Sequence, residues 1–325
     1  MADLKNKDFC ITILGSGSAT PALNRFHSAQ IVLFKGQRLL LDSGEGTQYK
    51  LLLYDSLSPV HKILITHVHG DHILGLPGLF FTFSLNGVER PVHLYSTSQA
   101  IEWFSTFKDW LTIPLSFPVH THVAPLDKKN LLYSDKEMDI FSIPLKHTSA
   151  AVGYIIKENL PPRKINPEAL KKFNIPYNQL NSVKMGYDAT SREGETIPNA
   201  QITLPNRTPR SYAFITDTLY VPELADYLKE VTVLYHEATF SEEHSEEANL
   251  TGHSTAIQAA QLAKQAQVKL LLIGHISSRY TKPEELVMEA RKVFPNTFLA
   301  MEGLKVWLEI DKIWLQYPDG SEFSL

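Results

Sequence analysis

Three imidazoles and a carboxylate fall within six residues in Thr66-His67-Val68-His69-Gly70-Asp71-His72. Such a cluster makes a poor core, because buried polar groups need partners and these would crowd one another. Neutral imidazole and carboxylate are good ligands for Zn²⁺. Alternation along the segment puts His67 and His69 on one side of a turn and Asp71 and His72 on the other, so two adjacent metals are possible. Two ions need more ligands than this segment holds. His147, Asp217 and His275 are the candidates, each just after an apolar run that reads as a strand: Ile140–Leu145, Tyr212–Thr216 and Lys269–Ile273. Asp217 could bridge the ions, which would suit a two-metal hydrolysis.

The elements that must position these groups alternate between strand and helix. Phe9–Leu14 reads as a strand, and Ala29–Phe34 with Arg38–Leu41 as a hairpin about Lys35-Gly36-Gln37. Glu45–Asp55 reads as a helix, Lys62–Thr66 as a short buried strand, and Ile73–Leu85 as a helix despite Pro77. The second half repeats the style, with helices expected over Pro222–Glu230, Thr255–Gln265 and Pro283–Val293 between strands. Histidines at strand ends in such a pattern argue an α/β layered fold, in which chemistry collects where strands stop.

Composition sets the outer bounds. At 43% hydrophobic and a net charge of −4, the 325-residue chain is too apolar and too weakly charged to be disordered. One cysteine, Cys10, excludes an intramolecular disulfide and a multi-cysteine zinc site; it reads as a small buried residue of the first strand. The charged start of the sequence shows no signal peptide, and no run of about 18 apolar residues offers a membrane span. A soluble cytoplasmic protein is the expectation. Gly15-Ser16-Gly17 follows a strand but lacks the third glycine of a dinucleotide fingerprint, so no nucleotide cofactor is expected.

One segment breaks the pattern. Residues 157–210 are rich in proline and polar residues and show little strand periodicity, with nine lysines and arginines against five acidic residues. A loop of that length in a compact domain is functional or disordered. Its positive balance suits a basic arm that grips a polyanion, with Lys164, Lys171, Lys172 and Lys184 among the candidate phosphate contacts.

Thr-His-x-His-x-Asp-His resembles the signature of the metallo-β-lactamase superfamily, and the likeness extends further, to the ribonuclease Z family of tRNA 3′-processing endonucleases. It runs from Ile13-Leu14-Gly15-Ser16-Gly17 to about Leu308. It takes in Leu41–Gln48, the Thr66–Phe80 block, Gly153-Tyr154 and Thr216-Asp217-Thr218, then His236-Glu237-Ala238-Thr239-Phe240, His253-Ser254-Thr255 and His275–Tyr280. The resemblance implies a single metallo-β-lactamase domain over 1–325, an αββα four-layer sandwich, with 157–210 as an inserted, protruding tRNA-binding arm. It also implies two zinc ions per subunit, a homodimer and precursor tRNA as substrate. By matching motif, His67, His69 and His147 would hold one zinc and Asp71, His72 and His275 the second, with Asp217 between. Asp71 would orient or deprotonate the attacking water, His253 would protonate the departing 3′ oxygen, and Glu237 would orient His253. Arg279, with Tyr280, would hold the phosphate being cut, since an arginine fork suits phosphate oxygens.

The chain departs from the family pattern in three places. Ile175-Pro176-Tyr177-Asn178-Gln179 lacks the Gly-Pro pair of many arms. Pro21–Phe26 lacks the lysine and asparagine of many relatives. Gly274 stands where threonine is usual, with little effect expected because the ligand after it remains. Two other functions compete. A small-molecule hydrolase of a cyclic phosphodiester, thioester or lactam would share the metal loop, but the long arm and Ser278-Arg279-Tyr280 weigh against it. An RNA-binding protein with a structural metal is opposed by the full ligand set together with Glu237 and His253.

Overall fold

The apolar runs assemble into two sheets. The computed structural model describes residues 8–325 except 24, 56, 112 and 113. The charged start of the chain therefore lies outside the described residues, as does Asn24 of the Pro21–Phe26 loop. One sheet has nine strands in the spatial order Glu322–Ser324, Ile313–Gln316, Lys305–Leu308, Phe9–Gly15, Ala29–Phe34, Gln37–Leu41, Lys62–Leu64, Val92–Ser96, Val119–Val123. The other has seven, in the order Thr297–Leu299, Leu270–Gly274, Val233–Glu237, Ser211–Ile215, Ala150–Glu158, Met138–Lys146, Asn130–Ser134.

The period of two along each strand assigns its side chains to different cores. Ile11, Ile13, Leu39 and Leu41 from the first sheet meet Tyr154, Ile156, Tyr212, Phe214, Leu270 and Leu272 from the second. Their neighbours point the other way. Leu40, Ile63 and Leu94 pack with Leu51, Leu79, Phe80 and Phe104 of the helices Thr47–Tyr54, Gly75–Leu85 and Ser98–Asp109. Ala213, Ile215, Leu271 and Ile273 pack with residues of Leu224–Tyr227, Ala256–Gln265 and Glu284–Arg291. The result is the αββα four-layer sandwich. Parallel pairing of Gln37–Leu41, Lys62–Leu64 and Val92–Ser96, and of Ser211–Ile215, Val233–Glu237 and Leu270–Gly274, aligns the carboxyl ends of the strands within each sheet.

Several elements differ from the sequence reading. The helix expected over Ile73–Leu85 is broken at Leu74 into Gly70–Ile73 and Gly75–Leu85. The Gly75 N–H donates to Ser43 O at 2.7 Å, and a side chain on Gly75 would strike the backbone of Gly44, so this close approach fixes the break. The Ser43 N–H in turn donates to His72 O at 2.8 Å, strapping the histidine loop to the end of the neighbouring strand. The helix expected over Pro222–Glu230 shrinks to Leu224–Tyr227, and the chain turns through Glu230, whose φ is 58°. Ala150–Glu158 is a strand the sequence reading missed. It is a near-continuous apolar run because it is buried on both faces, and Gly153 lets Ile215 and Phe214 close over it. Among the described residues no helix is long and apolar enough to cross a membrane.

The chain divides into two compact units, 1–157 with 210–325, and 158–209. The second is no structureless loop. Ile175, Val183, Ala189, Ile197 and Ile202 form a small core with Ile165, Leu170 and Phe173 packed against it. Asn166 caps the helix Pro167–Lys172 by accepting from the Glu168 N–H, and Ala189–Thr190 pairs with Thr196–Ile197. Both ends of this unit are tied by a fork of two 2.7 Å bonds from Arg207 to the buried carboxylate of Glu158. Within the larger unit, Lys157 and Ser211 face each other in antiparallel register, so the points where the insertion leaves and rejoins are adjacent.

Candidate metal centre

Asp217 sits at the centre of the site. It follows the strand Ser211–Ile215 by two residues and is held in the left-handed region at φ 44°. The Thr216 hydroxyl donates to its Oδ1 at 2.6 Å. His67 Nε2 and His147 Nε2 each stand 3.7 Å from Asp217 Oδ2, and His72 Nε2 and His275 Nε2 each stand 3.3 Å from Oδ1. His69 Nδ1 lies 3.2 Å from His147 Nε2. Asp71 Oδ2 lies 3.3 Å from both His72 Nε2 and His275 Nε2. The structure thus brings seven side chains into two groups, His67, His69, His147 with Asp217, and Asp71, His72, His275 with Asp217, each with its donor atoms within 4.8 Å of one another.

These residues arrive from strand ends of both sheets. The loop after Lys62–Leu64 brings His67, His69, Asp71 and His72; Met138–Lys146 ends one residue before His147; Leu270–Gly274 runs directly into His275, whose φ is 56°. Non-glycine residues in the left-handed region are costly and persist where the surroundings over-determine them. Asp42, at φ 54° beyond Gln37–Leu41, is a third such residue at the site.

In four of the five histidines the inward nitrogen is aimed by a contact on the outward one. His72 Nδ1 donates to Asp42 Oδ2 at 2.7 Å, and His147 Nδ1 to Gly252 O at 2.8 Å. His275 Nδ1 lies 3.0 Å from Thr239 Oγ1, and His67 Nδ1 3.0 Å from Thr66 Oγ1. Such outer partners set the tautomer and ring orientation of a metal-bound histidine. The inward Nε2 atoms of His67 and His72 are buried and have no hydrogen-bond partner. Buried nitrogens converging on carboxylates at 3.3–3.7 Å, two of them without a hydrogen-bond partner, fit a metal ion. The all-N/O donor set suits zinc among others.

The electrostatics agree. Burial, then the neighbouring His72, pushes the His67 imidazole well below its usual range, leaving a free lone pair. Burial also opposes charge on His72, but Asp217, Asp71 and Asp42 override it and push its pKa well above the ordinary value. Three carboxylates thus favour positive charge at this point, as a proton or as a cation. Asp71 remains ionised, because His72 and His275 outweigh the effect of burial.

A second constellation adjoins the first. Glu237 is fully buried and lies 3.0 Å from His253 Nδ1, while His253 is 15% exposed, so only the histidine can meet a ligand. Glu237 accepts from the Thr218 N–H and from the Thr239 hydroxyl, at 2.7 and 2.6 Å. Thr239 therefore joins the outer nitrogen of His275 to the carboxylate that holds His253. A capping box between Thr255 and Gln258 starts the helix Ala256–Gln265 and fixes the approach of His253 to it.

Other candidates stand differently. Arg279 is engaged with Glu247, its Nη1 donating to Oε2 at 2.7 Å and its Nη2 to Oε1, and its guanidinium lies 4.9 Å from the Phe240 ring centroid. The Tyr280 hydroxyl accepts from the Ser241 N–H at 2.8 Å and lies 3.2 Å from His244 Nδ1. Lys164, Lys171, Lys172 and Lys184 are exposed in the inserted unit. The Pro21–Phe26 loop is tied down by Phe26 N–H donating to buried Glu302 at 2.8 Å and by Arg25 to Ser277 O at 3.2 Å. Gly274 is not an indifferent position, because a side chain there would run into the buried Tyr235 hydroxyl. Sequence reasoning gave no role to Asp42, Thr66 or Thr239. Asp42 shares with Asp217 the signal of a carboxylate just past an apolar strand.

Comparison with known proteins adds the following. A family model described as anti-Pycsar protein Apyc1 matches residues 9–154. The chain is 37% identical over 297 residues to a ribonuclease Z of Bacteroides thetaiotaomicron, covering 91% of this chain and 94% of the relative. It is 32% identical over 307 residues to a ribonuclease Z of Prochlorococcus marinus, covering 91% and 98%. Among solved structures, the short form of human tRNase Z aligns with a TM-score of 0.66 at 23% identity, over 93% of this chain and 99% of that one. A metallo-β-lactamase fold protein of Bacillus subtilis aligns at 0.65 and 18% identity, over 91% and 98%. These structural likenesses establish the fold.

Proposed function

The chain belongs to the ribonuclease Z family, and we infer that it is a tRNA 3′-processing endonuclease whose reaction centre is the cluster around Asp217. It removes the 3′ trailer from precursor tRNA, leaving a 3′-hydroxyl on the tRNA and a 5′-phosphate on the trailer. The observation that carries this reading is the convergence of the seven ligand-type side chains beside the Glu237–His253 pair, in a chain so closely related to ribonuclease Z.

His67, His69 and His147 would hold one zinc ion, and Asp71, His72 and His275 a second, with Asp217 shared. When bound, zinc supplies Lewis acidity towards phosphate oxygens and lowers the pKa of water. The ionised Asp71 carboxylate orients the attacking water and accepts its proton. Water oxygen bonds to phosphorus, and the bond from phosphorus to the 3′ oxygen breaks. His253 delivers its proton to that departing oxygen; Glu237 holds the imidazole charged and aimed. Arg279 reaches substrate phosphate by exchanging the Glu247 carboxylate for it, and Tyr280 backs the same loop.

Lys164, Lys171, Lys172 and Lys184 contact the tRNA backbone from the inserted unit, so binding weakens with salt. The protein works in the cytoplasm as a homodimer. Exposed Tyr49, Leu52 and Leu53 on the helix Thr47–Tyr54, with Phe81 and Leu85 on Gly75–Leu85, offer the apolar surface for a second copy.

The test is cleavage of a precursor tRNA bearing a 3′ trailer by zinc-loaded protein, with both product ends mapped. A single cut after the discriminator base is expected. Asp71→Ala should abolish the cut and leave tRNA binding nearly intact. Hydrolysis of a small phosphodiester without any tRNA cut would assign the site to small-molecule substrates instead.

A further inference from the structure

The metal centre lies where the parallel strands stop; cationic side chains gather where those of the nine-stranded sheet start. Lys62 opens the strand Lys62–Leu64, whose far end leads into the histidine loop, and it is the register partner of His93 on Val92–Ser96. On the terminal strand Val119–Val123, His120 faces His93 and His122 faces Tyr95. Lys62, His93 and His122 line a cleft of ≈ 650 Å³ with His61, Arg90 and Tyr133. That volume is in the range of small-ligand sites.

We propose that this cleft is an anion site, separate from the metal centre, that binds the terminal phosphate of a small phosphorylated ligand. Its lining holds a lysine, an arginine and three imidazoles, and no carboxylate. Lys62 Nζ donates to the neutral Gln37 Oε1 at 2.7 Å and lies 4.2 Å from the Tyr133 ring centroid. Among the described residues neither Lys62 nor the exposed Arg90 has an ion-pair partner. Asp135 acts on Lys62 from outside the lining, but it already accepts from Gln37 Nε2, the Tyr133 hydroxyl and the Glu137 and Met138 N–H groups, each at 2.8 Å. Ser134 is also engaged, its hydroxyl donating to Asp139 at 2.7 Å. Positive charge in the cleft is thus left without a matching anion, and walls of one sign focus the field on whatever enters.

The histidine pair adds a donor. His93 Nδ1 and His122 Nε2 face each other at 2.9 Å, and each neutral imidazole carries one N–H. If His93 donates, His122 keeps its hydrogen on Nδ1; if His122 donates, His93 keeps its own on Nε2. One N–H stays available to a ligand in either tautomer. Burial, then His122, His120, Lys62 and His61, pushes the His93 imidazole below its usual range, and each of these neighbours is positive when protonated. An anion relieves that crowding of like charge. The Arg90 guanidinium offers the forked N–H pair that matches phosphate oxygens, and the Lys62 ammonium offers a point charge. Lys62, His93 and His122 are half-buried. A recess of that kind admits a terminal phosphate, whereas the diester of a polynucleotide must pass over the surface.

The experiment follows the histidine ring signals of the zinc-loaded, histidine-labelled full chain by NMR. The probes are inorganic phosphate and, separately, AMP, with ionic strength held constant by chloride. His93→Gln and His122→Gln identify the two rings. Both signals are expected to shift saturably with each probe. Arg90→Gln, at an exposed position, and Lys62→Met, which keeps the unbranched stem, should each weaken the midpoint about tenfold, the worth of one charge-assisted hydrogen bond. Hydrolysis of a small phosphodiester in the absence of the probes should be unchanged in both. Signals that stay still with both probes, or move equally with chloride alone, would overturn the proposal. Midpoints unmoved in both variants would place the phosphate at the metal centre and overturn it too. If precursor tRNA moved the two signals and the small probes did not, the cleft would be an RNA contact and the small-ligand assignment would fall.

Discussion

The buried carboxylate of Glu237 sets the charge of a neighbour that it shields from nothing but water. Burial alone would lower the His253 pKa, but the Glu237 charge and hydrogen bond reverse that and push it up to about 9. The folded value is thus raised above the unfolded one of about 6.5. The stability this pair contributes is fully present below about 6.5 and is lost as pH rises through about 9. In metal-free protein with labelled histidine, NMR should show one ring titrating near 9, and Glu237→Gln should bring it down towards or below 6.5. An unmoved midpoint would remove Glu237 as the cause. At this scale the sequence was most informative where one residue type at one kind of place sufficed, as for His147, Asp217 and His275 at strand ends. It was silent on Asp42, Thr239 and Gly252, whose roles depend on which ring nitrogen they face, a property of the folded pair.

Among elements, the strand Leu270–Gly274 shows how a ligand depends on what lies beneath it. Gly274 and Tyr235 are register partners' neighbours on adjacent parallel strands, since Glu237 pairs with Gly274 and Tyr235 with Leu272. The Tyr235 ring fills the space a larger residue at 274 would need, and it stacks on Phe214 with centroids 4.9 Å apart. The expectation that glycine here is of little consequence therefore holds only while Tyr235 is left in place. Gly274→Thr should destabilise the protein by about 1–3 kcal/mol through overpacking, and adding Tyr235→Leu should recover part of that. Urea midpoints of the four proteins in a double-mutant cycle test it; additive effects would mean the two positions are independent. Element identity was legible wherever hydrophobic period and length agreed, as in Ala29–Phe34 or Ala256–Gln265. It failed for Ala150–Glu158, where burial on both faces erases the alternation, and at Leu74, where a backbone contact from Ser43 and Gly44 breaks a helix that its own residues would continue.

For the whole molecule, the function proposed above rests its fit to tRNA on the inserted unit. The sequence revealed its charge and its limits but not its fold, because its core is built from a few scattered isoleucines without helical or strand period. Replacing 164–206 by a short turn keeps the Glu158–Arg207 fork. Cleavage of precursor tRNA should then fall by orders of magnitude more than hydrolysis of a small phosphodiester; equal loss on both would show that the unit serves the catalytic centre rather than tRNA capture.

Lys157 and Ser211 stand opposite each other on neighbouring strands. To the sheet, everything between Glu158 and Pro209 is the turn of a hairpin. Closing a longer loop costs little, about 0.6 kcal/mol for each doubling of its length. A lineage can therefore gain, lose or exchange this segment through one insertion or deletion while every catalytic side chain stays where it was. On the function proposed above, what the enzyme does to a phosphodiester and which molecules it does it to would be inherited on separate stretches of the same gene.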